Sequence, residues 1–473
     1  MRLNKDIIKM GKFWLATNSE TIVIGKLSIR DGGKIKLEIF GDLHKIDHIF
    51  NNDIQPFRLC GLVDSLGDVT LDNCFYTKNN ISNISNHELY VSKAYIGVLF
   101  EQDEEILFNS FIFKVEGIDK WVNIDGIKLI KEISPYDINS QNYNETIKIS
   151  YNTPKTISIN LEEGIILKII FNAKQNYTKV NRIIKSAYIS HETNFKLESK
   201  ENKKSDEFIS IAYKITNLLG FALNKEVCLL NIVATIKGFD REQLGINKGP
   251  IPIKMYYESR PFSKEKSKIN SNDILFYFKD IQNRTELVFN NWLKAYDDIN
   301  PTLNLYFSTK NGDYKIMEGR FLSLVQGLET FHRRTSDKKQ LDEIEFTNLK
   351  KILLSSCPEK HKEFLSAKLQ YANEVSLRTR IKDIIKPYSK YFGDNKNINI
   401  FINKIVETRN YLTHYDKSNK NNITSKGSEL YKLCLKLDVI YQILLLQTLG
   451  FTKVEIDKIL ETNATMKKKL SIQ

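Results

Sequence analysis

The spacing of apolar residues changes along this chain, and that change restricts the folds open to it. Up to about residue 200 the apolar residues fall in short runs with partial two-residue alternation. Thr21-Ile22-Val23-Ile24-Gly25-Lys26-Leu27-Ser28-Ile29 turns at Asp31-Gly32-Gly33 and returns as Lys34-Ile35-Lys36-Leu37-Glu38-Ile39. Two such runs around a Gly-rich turn predict a β-hairpin. Further strands are expected at 68–71, 94–100, 106–115, 146–151, 156–161, 165–171 and 187–197. Short strands at these intervals, joined by polar turns, predict a sandwich or two packed sheets.

A charged junction at 198–206 ends that pattern. A mixed stretch follows, with a helix expected at 208–223, strands at 227–236 and 274–278, and a helix at 285–296 that carries Trp292. Ile299-Asn300-Pro301 interrupts it. From 313 onward the spacing is helical, with segments at 315–335, 341–355, 359–372, 374–386, 397–414, 426–449 and 453–469. The segment around Tyr431, Leu433, Leu435, Leu437, Val439, Ile440, Ile443 and Leu444 is apolar on much of its circumference, as the central helix of a bundle is. The expected fold class is therefore α+β and multidomain. A β-rich, sandwich-like domain occupies 1–206, an α+β connecting unit 207–312, and an all-α bundle 313–473.

The 473 residues carry a net charge of +13. Over 313–473 there are 29 Lys and Arg against 19 Asp and Glu, so most of the excess sits in the helical third. That asymmetry points to a polyanionic partner, nucleic acid ahead of an acidic membrane. No run of 18 apolar residues exists and the N-terminus has no long apolar stretch, so a cytoplasmic protein with no membrane span is expected. The five cysteines Cys60, Cys74, Cys228, Cys357 and Cys434 have no zinc-ligand spacing, and no metal or cofactor is expected.

One helical segment carries a candidate chemistry. On a wheel of 100° per residue, Ile398, Phe401, Ile402, Ile405 and Leu412 of 397–414 form an apolar side. Asn403, Glu407, Asn410 and His414 fall opposite, at i, i+4, i+7 and i+11. Arg409 lies at the margin, about 140° from His414. An arginine grips phosphate through a forked pair of hydrogen bonds, and a histidine moves protons near neutral pH. An ordinary solvated face explains the same polar stripe about as well. On the first bundle helix, Glu329 and His332 are i, i+3 neighbours beside Arg333 and Arg334, with Leu322, Val325, Leu328 and Phe331 as its apolar contacts. Arg378 and Arg380 begin another basic stretch, suited to tracking a phosphate backbone.

Taken in order, Leu328-Glu329, His332-Arg333, Leu377-Arg378, Arg380-Ile381 and the set Glu407, Arg409, Asn410, Thr413 and His414 resemble the ApeA-like HEPN family. Gly11-Lys12-Phe13-Trp14, Gly25-Lys26-Leu27, and Gly61 followed by Asp68-Val69-Thr70-Leu71-Asp72 resemble the N-terminal domain that precedes HEPN in ApeA anti-phage proteins. The resemblance implies a HEPN bundle at 313–473 that dimerises, with the Arg and His motifs of two protomers lining one cleft. It implies a metal-independent endoribonuclease of bacterial defence that cuts tRNA in the anticodon loop. By position, Arg409 and His414 match the nuclease motif, Asn410 the polar residue after the arginine, and Glu407 its acidic neighbour. Glu329 and His332 match the first-helix signature as supporting residues, and Arg333, Arg334, Arg378 and Arg380 are expected to bind RNA.

The expected partners are thus RNA, with tRNA foremost, a second copy of the chain, and a phage-derived trigger. Region 1–200 is expected to supply recognition or restraint. Two other readings stand beside this one: a non-catalytic RNA-binding or phage-sensing protein, and a ligand-binding β-domain carried on a helical dimerisation module.

Overall fold

The computed structural model describes residues 1–44, 55–80, 85–135, 143–180, 183–243, 246–310, 316–414 and 425–472. The chain forms two compact units, Met1–Asn290 and Asn291–Gln473.

The first unit is built on antiparallel strands. β1 (Ile7–Leu15), β2 (Asn18–Arg30) and β3 (Lys34–Phe40) form a meander, with β4 (Phe57–Val63) on the other edge of β1. β5 (Gly67–Asn80) pairs with β4, and β6 (Asn86–Ile96) pairs with both β3 and β5. That last pairing runs from Val69 opposite Ile96 to Asn80 opposite Asn86. It rolls the six strands into a closed barrel, a step beyond the two packed layers expected from the sequence. Closure removes exposed sheet edges.

The inside is filled by alternate residues: Phe13, Leu27, Leu37, Leu59, Leu71 and Leu89 are all fully buried. Phe13 needs room from its neighbours, and Gly61 supplies it, since a Cβ there would lie 2.6 Å from the Phe13 ring. The predicted hairpin turn is present. Gly32 and Gly33 take φ of 97° and 79°, and a Cβ on Gly33 would overlap the Tyr257 carbonyl.

The sheet continues outside the barrel. Beyond its pairing with β3, β6 pairs with β16 (Ile253–Tyr257). From there the order runs through β13 (Leu229–Thr235), β7 (Leu107–Val115), β12 (Ile183–Lys204), β11 (Ile165–Val180) and β10 (Ile157–Asn160). Two hairpins stand apart, β8 (Ile127–Pro135) with β9 (Tyr143–Tyr151), and β14 (Asp240–Gln243) with β15 (Ile246–Pro250). Helix α1 (Ile118–Val122) buries Trp121, and α2 (Ser205–Leu223) stacks Phe208 on Phe111 at 5.8 Å.

The strand expected at 274–278 is absent. The Phe276 carbonyl accepts the Trp121 indole N–H at 3.0 Å, and Phe278 opens a short helix, α3 (Phe278–Ile281). With β13 and β16 in the main sheet, residues 207–290 belong to the first unit and 291–312 to the second. The division falls inside α4 (Thr285–Asp298).

The second unit is helical. It contains α5 (Asn300–Ser308), α6 (Met317–Thr335), α7 (Glu343–Ser355), α8 (Glu359–Leu369), α9 (Leu377–Ile385), α10 (Asn395–His414), α11 (Gly427–Thr448), α12 (Lys453–Thr462) and α13 (Ala464–Ser471). α11 is buried almost all round, as its sequence predicts, although Tyr431 stays 45% exposed. It approaches α6 closely at Gly327, where a Cβ would overlap the Tyr441 hydroxyl. That hydroxyl donates to the Leu324 carbonyl at 3.0 Å.

Asp438 is 1% exposed and sits between Lys310 (2.5 Å) and Lys469 (2.6 Å), which hold its carboxyl well below the usual range. The helix expected at 453–469 breaks at Asn463, whose side chain leaves the helix to accept the Met466 N–H and start α13. Similarly Asp394 accepts the Asn397 N–H and sets the start of α10.

Candidate active site

α10 buries Ile398, Phe401, Ile402, Ile405 and Leu412, the apolar side read from the sequence, and adds Thr408. The Thr408 hydroxyl accepts the backbone N–H of Ser425, so this small polar residue fits the core without an orphaned group. The opposite face stays at least partly exposed: Asn403, Glu407 and Asn410 are half-buried and His414 is exposed.

Arg409 reaches from the margin of α10 toward α6. Its Nη1 donates to Asn410 Oδ1 at 3.3 Å and its Nη2 lies 3.5 Å from Glu329 Oε2. Glu329 turns its other oxygen to Arg333 at 3.2 Å. Arg333 reaches Glu374 at 2.5 Å, and Glu374 also meets Arg380 at 3.4 Å. Arg380 Nη1 lies 3.2 Å from His332 Nδ1, and His332 Nε2 lies 3.4 Å from Asp383. Asp383 finally meets Lys338 at 2.7 Å. The result is one connected chain of charged and polar side chains that joins α6, α9 and α10. Each member between the two ends is held on two sides, which fixes long side chains that would otherwise cost rotamer entropy to place.

The chain also assigns states. A guanidinium only donates, so His332 Nδ1 accepts and its Nε2–H points at Asp383. Burial, and then the positive Arg380, push the His332 pKa down from its ordinary 6.5. His332 is 5% exposed and Arg380 4%. Burial with Arg333 alongside lowers Arg380 from its usual range, and its Nε has no hydrogen-bond partner among the described residues.

These positions change the reading of several residues. His332 belongs to the interior, and the apolar contacts of α6 come from Phe321, Leu324, Val325 and Leu328, while Leu322 and Phe331 are half-exposed. Arg380 was expected to track phosphates, but its guanidinium faces the interior network. Arg334 donates to the Asp298 carbonyl at 3.0 Å and so caps the end of α4. Arg378 is exposed and bonds Asn403. Arg333 is exposed yet committed to two carboxylates.

Within the chain, Arg409, Asn410 and Glu329 are brought together and His414 is not. His414 is the last residue of α10 and makes no hydrogen bond or ion pair among the described residues. Five helical residues separate it from Arg409, about 7.5 Å along the axis and 140° around it. Sequence reasoning missed Glu374 and Asp383. The Arg380-x-x-Asp383 spacing on α9 was the available signal for the second; nothing local marked Glu374. Among the described residues no group of three His, Cys, Asp or Glu side chains is placed to hold a metal ion, and no helix is long and apolar enough to cross a membrane.

The chain thus carries a barrel unit followed by a helical unit, with Arg409, Asn410 and the terminal His414 on α10 and Glu329 of α6 meeting Arg409. Residues 9–292 match the family model for ApeA N-terminal domain 1, and residues 322–455 match the one for Apea-like HEPN. The chain belongs to the ApeA-like HEPN family. HEPN domains are generally RNases, and this membership points to a nuclease of anti-phage defence. No curated protein and no solved structure matches the chain.

Proposed function

We propose that this protein is a metal-independent endoribonuclease of anti-phage defence that cuts tRNA in its anticodon loop and works as a homodimer. The observation that carries the reading is the state of Arg409. It is a third exposed, oriented by Asn410 and Glu329, and its bond to Glu329 is long enough for a phosphate to displace. Phosphate offers the guanidinium a better forked acceptor than a single carboxylate oxygen at 3.5 Å.

In the reaction the RNA 2′-OH attacks its own adjacent phosphorus. The P–O5′ bond breaks, leaving a 2′,3′-cyclic phosphate and a 5′-OH. His414 accepts the 2′-OH proton or donates one to the leaving 5′-oxygen. Arg409 stabilises the charge gathering on the phosphoryl oxygens. Asn410 gives its oxygen to Arg409 and keeps its amide N–H groups for the phosphate. Glu329 orients Arg409, and the chain that runs inward through Arg333 and Glu374 to the buried Arg380 and His332 keeps Glu329 in place. Glu407 flanks the same face.

A second copy solves the separation of Arg409 from His414. A two-fold contact along α10 sets Arg409 of one protomer near His414 of its partner, twice by symmetry. α7 and α8 bury no residue and leave Ile344, Ile352 and Phe364 more than 60% exposed, an apolar surface of the kind that marks protein interfaces. The first unit, with no comparable Arg-Asn-His set among its described residues, is assigned to recognition or restraint.

The test is incubation of purified protein with total tRNA in EDTA, followed by a denaturing gel and end analysis. Discrete fragments with cyclic-phosphate ends are expected, and DNA of the same sequence stays intact because it lacks the 2′-OH. A native-gel shift with no cleavage would favour the non-catalytic RNA-binding reading instead.

A further inference from the structure

Between the N-terminal half of α10 and the start of α11 lies a pocket of about 340 Å³. Its wall includes Phe401 and Lys404 from α10, and Ser425, Glu429, Lys432 and Lys436 at and beyond the start of α11. Three cations face it and one carboxylate answers them: Glu429 lies 3.2 Å from Lys404. Lys432 and Lys436 have no carboxylate partner among the described residues. Lys436 is half-buried with its ammonium 5.9 Å from the centroid of the Phe401 ring, and Phe401 stacks on Phe392 at 5.9 Å.

Uncompensated like charges at close range are unfavourable, and the pocket shows that cost. Burial, with Lys404 and Lys432 adding to it, pushes the Lys436 pKa down. A solvated cluster of surface lysines would explain the charge but not Ser425. That residue is 2% exposed; its backbone N–H is satisfied by Thr408, but its hydroxyl has no partner among the described residues. A buried hydroxyl without a partner is unfavourable and favours a ligand that can accept or donate to it. Beside it, the 22-residue α11 begins at Gly427, and the free N–H groups of a helix start favour an anion. Cations without counterions, an unused hydroxyl and a helix start all converge on one pocket and ask for an oxyanion. At about 30 Å³ per water the pocket holds on the order of ten, enough for a phosphate with its attached sugar.

The pocket also lies on a path to the proposed site. Lys404 and Tyr411 are i, i+7 on α10 and so nearly in line, and His414 follows three residues later on the adjoining strip. Lys426 places its ammonium 5.4 Å from the Tyr411 ring centroid along the same line. Lys404 and His414 are ten residues apart, about 15 Å along the helix, a separation of a few nucleotides.

We propose that this pocket is a phosphate subsite that grips a backbone phosphate of single-stranded RNA a few nucleotides from the bond to be cut. The distance to the scissile bond rests on the ribonuclease reading; the phosphate chemistry does not.

The experiment measures binding of short single-stranded 2′-O-methyl RNA, which cannot be cleaved, to the full-length protein over a series of salt concentrations. Pyrophosphate is the second probe. The variant is K432M/K436M, which removes charge and keeps the aliphatic stems, and K467M/K468M in the exposed tail is the control. The expected result for K432M/K436M is an RNA affinity on the order of tenfold weaker, with the slope of log affinity against log salt reduced by about 1.4. Ser425→Ala should weaken RNA binding a few-fold while its Tm holds or rises, because the lost hydroxyl had no partner.

Unchanged RNA affinity in K432M/K436M overturns the proposal, as does an equal loss in the tail control. Saturable pyrophosphate binding that disappears in K432M/K436M while RNA affinity stays constant overturns the RNA assignment and identifies a free phosphorylated molecule as the ligand. A wild-type protein that binds RNA with the expected slope yet leaves ordinary RNA uncut supports the subsite and removes the ribonuclease reading alone.

Discussion

In the first unit Arg58 is 7% exposed, bonded to Asp72 at 3.0 Å and to the carbonyls of Glu101 and Glu104. Arg2 is similarly enclosed by Glu116 at 2.8 Å and the carbonyls of Ser263 and Glu265. Each of these cations ends in a closed local set of acceptors. In the second unit Arg380 is as deeply buried, yet its contacts lead outward through Glu374, Arg333 and Glu329 to Arg409, which is a third exposed. The contrast separates two uses of a buried guanidinium. One pins a loop to a sheet. The other braces a surface arginine from behind and leaves its front open to an anion.

The comparison can be broken at several points, beginning with the largest effect. Phe13→Ala empties the barrel centre, where Gly61 already leaves no side chain to fill the gap, and should cost about 3–5 kcal/mol in denaturant unfolding of the first unit. Arg380→Met takes one partner from half-buried Glu374 and from buried His332 and should cost about 1–3 kcal/mol in the second unit. A cost near zero would mean that the charged chain does not brace the bundle.

A smaller effect follows from His332. Its folded pKa lies below the unfolded 6.5, so the folded protein binds fewer protons than the unfolded chain in that window. Its contribution is complete above pH 6.5 and is lost as pH falls from there toward the folded value, with a slope of at most about 1.4 kcal/mol per pH unit. His332→Gln should flatten that slope in urea titrations at pH 5 to 7. Smallest of all, Arg334→Ala should change stability by no more than about 0.5 kcal/mol and leave RNA cleavage intact, because that side chain only caps α4 from the surface.

Much of the second unit was legible in the sequence because helical spacing records which face is buried. The apolar side of α10, its polar stripe and the 140° between Arg409 and His414 all follow from the wheel. The inward turn of Arg380 was not legible, since it depends on Glu374 and His332 arriving from other segments. Barrel closure was hidden for a similar reason: the strands were visible, but the partner of the far edge of β6 is set by the whole sheet. At 274–278 an apolar run looked like a strand until a distant indole claimed its carbonyl. Asn463 was a readable cap, masked by apolar spacing that runs through it.

In the proposed dimer, Arg409 of one protomer and His414 of its partner act on one phosphate. Arg409→Ala and His414→Ala should each lose on the order of 100-fold or more in tRNA cleavage while keeping Tm, since both side chains stand clear of the core. The direct measurement is cleavage by an equimolar mixture of the two inactive variants after subunit exchange. In a mixed dimer one composite site carries both lesions and the other carries neither. The mixture should recover a substantial fraction of wild-type cleavage. A mixture as inactive as its components, with mixed dimers shown to form, would contradict it.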